Sequence, residues 1–236
     1  MDLKKAIWTQ NDKKEFQKYL LSLSKGKEKG EWEKNIVRTN LDCIAVSSKD
    51  VDNIVKGILK GNFVSFLDLN LWGNFTNTII NGKILSHIAD FGVYKEYLDK
   101  FVQKADNWAS IDTLDFKIKG KEDDFLDLAK KYIKSNKTFV RRCGVRILFK
   151  FISDEYIDQT LDIISTLYDE QEYYVNMAIS WLICEGFIKQ RAKTLKFIKT
   201  QKINDFVKNK AISKCRDSYR VSKEDKELLL GLKKGD

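Results

Sequence analysis

Apolar residues recur along this chain at helical rather than strand intervals. Phe16, Tyr19, Leu20 and Leu23 form one stripe at spacings of three and four. Ile54, Val55, Ile58 and Leu59 form a second, which stops at Gly61-Asn62. The same spacing returns in Tyr94, Tyr97, Leu98 and Phe101, and again in Phe125, Leu128, Ala129, Tyr132 and Ile133. It continues through Ile157, Leu161, Ile164 and Leu167, then Leu195, Phe197 and Ile198. A capping box, Ser222 with Asp225 three residues on, precedes the apolar run from Leu228 to Leu230 and predicts a last helix. Only Phe63 to Leu71 is ambiguous, because a short apolar run fits either helix or strand. The pattern predicts an all-α chain.

The helices also repeat. Three of them open on an aromatic residue followed by valine: Phe139-Val140, Tyr174-Val175 and Phe206-Val207. An earlier unit opens its second helix at Trp108. A period in the low to middle thirties with two helices per unit is that of a HEAT-like α-α solenoid. The tryptophan, glycine and proline pattern of tetratricopeptide repeats is missing. Residues 1–236 are therefore expected to form a single HEAT-like repeat domain. An irregular helical bundle is the alternative, since three loosely matched units can arise from ordinary helix spacing.

Composition sharpens this picture. The 236 residues contain no proline and 12 glycines, as expected of helices joined by short connections. The net charge of +9 is unevenly placed: residues 189–226 hold 13 Lys or Arg against four acids, whereas Ser153 to Gly186 holds eight acids and no base. A phosphate backbone on one face and a solvated lysine-rich surface explain this equally well. The four cysteines, Cys43, Cys143, Cys184 and Cys215, form no CxxC pair, and His87 is the only histidine, so no metal site and no cofactor are expected. The start of the chain lacks the apolar core of a signal peptide, and no apolar stretch is long enough for a bilayer. A cytoplasmic protein, monomeric and without a membrane partner, is the expectation.

Four positions in the second half carry candidate chemistry. Trp108 and Asp112 stand at i and i+4, hence on one helical face. Arg142, with Arg141 beside it, follows Phe139, and Trp181 ends the segment that begins at Tyr173. Each has a plainer reading: core aromatics for the tryptophans, a solvated turn for Asp112, an ion pair for Arg142. Taken together, in this order and spacing, they resemble the AlkD-like DNA glycosylases, which are built of HEAT-like repeats. The W-x-x-x-D segment of that family is matched by Trp108 and Asp112. Its arginine after a helix-opening aromatic is matched by Arg142, and its second cradle tryptophan by Trp181. Asn209 to Ile212 and Asp217 to Lys226 are similar to its C-terminal unit.

The resemblance covers residues 91–236 and implies excision of N3- or N7-alkylated purines from duplex DNA, with no cofactor. Asp112 would be the catalytic carboxylate, Trp108 and Trp181 would hold the sugar, and Arg142 and Arg141 would contact DNA. Residues 1–90 depart from the family. Where it carries an aromatic residue, then glycine, proline and arginines, this chain has Ile36, Ala45, Lys49, Val51 and Asp52. Two basic positions near Trp181 are Met177 and Cys184. A non-catalytic DNA-binding protein and a protein-interaction scaffold are the competing functions.

Overall fold

A computed structural model describes residues 1–233. It is all-α: among the described residues only two isolated β-bridges, Ser24 with Val46 and Asp42 with Asn74, interrupt the helices. The chain divides into two compact units, Met1–Lys117 and the residues from Ile118 onward.

The first unit holds α1 (Asp12–Ser22), α2 (Lys27–Val37), α3 (Ser48–Ile58), α4 (Phe63–Leu67), α5 (Phe75–Leu85), α6 (Phe91–Lys104) and α7 (Trp108–Asp112). The ambiguous run at Phe63 is thus helical, capped by Asn62, whose side chain accepts from the Ser65 N–H. Trp8, Phe16 and Phe66 pack edge to face at centroid distances of 5.1–5.9 Å and fill the space between α1 and α4. In α3 the apolar stripe is buried as its spacing predicts, through Val51, Ile54, Val55 and Ile58. α5 is different, because it packs against α3, α4, α6 and α7 and is buried nearly all round. Some of its polar groups are paired within this packing: Thr78 Oγ1 lies 2.9 Å from Ser110 Oγ of α7, and Asn81 donates to the carbonyls of Leu71 and Asn77.

The second unit holds α8 (Glu122–Ile133), α9 (Thr138–Leu148), α10 (Ile157–Ser165), α11 (Tyr173–Lys189), α12 (Arg191–Thr200), α13 (Asp205–Asp217) and α14 (Lys223–Leu230). Here the repeat is explicit. α9, α11 and α13 pack one on the next, while α10 packs on α12. Two layers of this kind are the helical-repeat solenoid that the spacing predicts. The aromatic-valine pairs explain the period: Val140, Val175 and Val207 are at most 2% exposed and tie each second helix into the core. Ser222 accepts from the Asp225 N–H at 3.1 Å, so the last helix begins at the predicted cap.

Candidate functional site

In the first unit the candidate residues lie on α7, a single turn whose two ends are Trp108 and Asp112. Both are half-buried. The turn is fixed from beneath by Asn107, which is fully buried. The Asn107 side-chain oxygen accepts from the Ser110 N–H at 2.9 Å, and its amide donates to Asp106 at 2.8 Å. Asp106 in turn accepts from Thr39 Oγ1 and the Asn40 N–H, both at 2.7 Å, so the start of α7 is anchored to the end of α2. The far end is set by packing. A Cβ at Gly82 of α5 would meet Thr113 Cγ2 at 2.5 Å and Phe101 at 3.1 Å, so only glycine permits this approach. Trp108 and Asp112 are thereby held on one face of a short, rigid support.

The other candidates lie in the second unit. Arg141 forms a bidentate ion pair with Glu170: Nε donates to Oε2 at 2.6 Å and Nη2 to Oε1 at 3.0 Å, while Nη1 donates to the Ser135 carbonyl at 2.9 Å. Burial alone would push the Glu170 carboxyl up. The hydrogen bonds from Arg141 and from the Glu172 N–H outweigh it, and the pKa lies below its ordinary value. Arg142 is 5% exposed and donates to the Tyr174 carbonyl at 2.5 Å, near the start of α11. Both arginines therefore link α9 to the next repeat.

Trp181 sits in a cluster that the sequence did not reveal. The Arg146 guanidinium lies 4.8 Å from the Trp181 ring centroid and 4.5 Å from that of Phe149, and the two rings meet edge to face at 4.8 Å. Glu185 stands one turn further along α11. The Glu185 pKa is lowered from its ordinary value by Arg220, which donates to it twice, at 2.5 and 3.1 Å, and the nearby Trp181 indole contributes to lowering it. Spacing offered one signal: Arg146 follows Arg142 by one turn, and Glu185 follows Trp181 by one turn.

The charge asymmetry has an internal component as well. Arg191 pairs with Asp225, Lys193 with Asp154 and Asp158, and Arg220 with Glu185. Part of the basic C-terminal segment thus answers the acidic block before it. Ala45 adopts φ 57°, a left-handed conformation that glycine takes without strain. Val51 is buried, and Asp52 pairs with Lys83 at 2.8 Å. Cys184 is buried against Cys215 of α13, so this position faces the repeat interior.

Among the described residues no group of three or more His, Cys, Asp or Glu could hold a metal ion, and no helix is long and apolar enough to cross a membrane. Fold and repeat pattern define a helical-repeat protein. Residues 16–215 match the family model described as DNA alkylation repair enzyme, and the chain belongs to that family. A DNA alkylation repair role, with DNA as the substrate class, comes with that membership. No curated protein matches the chain.

Proposed function

We propose that the protein is a DNA glycosylase that hydrolyses the N-glycosidic bond of N3- and N7-alkylated purines in duplex DNA. The observation that carries this reading is the anchored turn of α7, which presents Trp108 and Asp112 on one face in a chain of the alkylation repair family. An alkylated purine is already cationic, so it departs as a neutral base without being protonated. Bond cleavage places positive charge on the deoxyribose, and water then attacks its anomeric carbon. Asp112 stabilises that charge and receives or directs the proton of the water. Trp108 and Trp181 hold the sugar against their ring faces. Arg142 and Arg141 position the DNA in this reading, and both hold α9 to the next repeat. In this reading the protein is monomeric and cytoplasmic.

The test is base release from methylated duplex DNA. Wild-type protein should free methylpurine, and Asp112→Asn should reduce the rate at least a hundredfold. Release that persists in Asp112→Asn would refute the role given to the carboxylate. Non-catalytic DNA binding is the second reading, favoured by one observation. Where the family carries arginines, Val51 is buried in the core and Asp52 engages Lys83. Salt-sensitive binding without any base release would select it.

A further inference from the structure

We infer that a strip of aromatic rings at the N-terminal ends of α9, α11 and α13 receives unpaired nucleobases, so that DNA carrying a single-stranded arm is bound more tightly than plain duplex. This rests on the reading of the chain as DNA-binding, and not on base excision. In each aromatic-valine pair the valine enters the core and the ring does not. Tyr173 is 55% exposed and Phe206 38% exposed, while Phe139 and Tyr174 are half-buried. Successive centroids are 5.5 Å apart for Phe139 and Tyr174, 5.3 Å for Tyr174 and Tyr173, and 6.0 Å for Tyr173 and Phe206. Four rings from three repeats therefore form one continuous strip, of a kind that marks an interaction surface.

Cations select the partner. Lys210 Nζ lies 5.7 Å from the Phe206 centroid, and Lys202 Nζ lies 4.3 Å from that of Tyr168, which is 43% exposed. Lysines interleaved with aromatic rings suit a single strand, whose phosphates meet the cations while its bases stack on the rings. Paired bases offer only their edges, so the ring faces are of use to unpaired bases alone. Exposed Glu172 and Asp205, beside the rings, turn phosphates away from the strip and toward the lysines. Along α11, Tyr173 stands about 12 Å from Trp181, so an arm on the strip lies near a duplex held at that tryptophan.

The experiment measures the affinity of the full chain for three labelled DNAs at one salt concentration. These are a blunt duplex, the same duplex with a pyrimidine arm, and the same duplex with an arm of abasic sugars. The pyrimidine arm should tighten binding on the order of tenfold, and the abasic arm should not. Tyr173→Ala and Phe206→Ala should each remove most of that gain, leaving blunt-duplex affinity and helical content unchanged. An abasic arm as effective as the pyrimidine arm would overturn the inference, because charge alone would then account for the gain. Equal affinity for all three DNAs would overturn it too, and would return the strip to a protein partner. Base release from methylated blunt duplex, measured alongside, separates the two claims: its absence in the wild type removes excision and leaves the strip standing.

Discussion

Replacing Glu170 with glutamine tests whether Arg141 is an architectural residue. The Glu170 side chain is 5% exposed and that of Arg141 14% exposed, so the pair is largely withdrawn from water. Glu170 also accepts from the Gln171 and Glu172 N–H groups at 3.0 and 2.9 Å, which positions the loop before α11. Glutamine keeps one acceptor oxygen but turns an amide donor toward a guanidinium that can only donate. A buried cation left without its counter-charge costs about 3–5 kcal/mol. At about 2–4 °C per kcal/mol for a chain of this size, the lower figure lowers the unfolding midpoint by about 6–12 °C. Denaturant unfolding of Glu170→Gln, Arg141→Met and the double variant forms the cycle that isolates the pair. The double variant should cost less than Glu170→Gln alone, because no unpaired charge remains. A loss under about 1 kcal/mol in Glu170→Gln, with the two single changes additive, would refute the reasoning. Arg141→Met then separates architecture from DNA contact, since a lost phosphate contact lowers the salt slope of binding by about 0.9.

Three further outcomes follow from the site. Gly82→Ala drives a methyl into Thr113 and Phe101, so it should destabilise by about 1–3 kcal/mol and slow base release by displacing Asp112, read by thermal unfolding and the release assay. Trp181→Phe keeps a ring for Arg146, and Trp181→Ala loses it. Release should fall further in the alanine variant, and equal rates would remove the ring from the mechanism. Glu170 and Glu185 have depressed pKa values, so the stability they supply is complete above the ordinary carboxylate value of 4.5 and is lost as pH falls through their lower folded values. Acid unfolding should therefore steepen below about pH 4.5 in the wild type, and this component should shrink in Glu170→Gln, as followed by circular dichroism across pH.

The helices of the second unit were legible because burial there follows apolar spacing. The valine of each aromatic-valine pair is a core residue, and the period survives in the sequence. α5 was not legible in the same way, since a helix buried on all sides has no stripe, and its Asn77, Thr78 and Asn81 read as surface residues. For the candidate site, the sequence singled out Trp108, Asp112 and Trp181 but not the residues around them. Asn107, Asp106 and Gly82 act through hydrogen bonds and contact distances that spacing does not encode. The cluster around Trp181 depends on Arg146, Phe149 and Arg220, which come from neighbouring repeats.

The ion pairs of the second unit have a consequence for its evolution and redesign. Arg141 reaches Glu170, Arg191 reaches Asp225 and Arg220 reaches Glu185 over separations of 29, 34 and 35 residues, about one repeat each. Three ion pairs thus join residues about one repeat apart, and the Arg141–Glu170 pair is the buried one among them. Swapping or duplicating the repeat that carries Glu170 would leave the largely buried Arg141 facing the wrong surface. The array is built from similar parts that are not interchangeable at this buried pair.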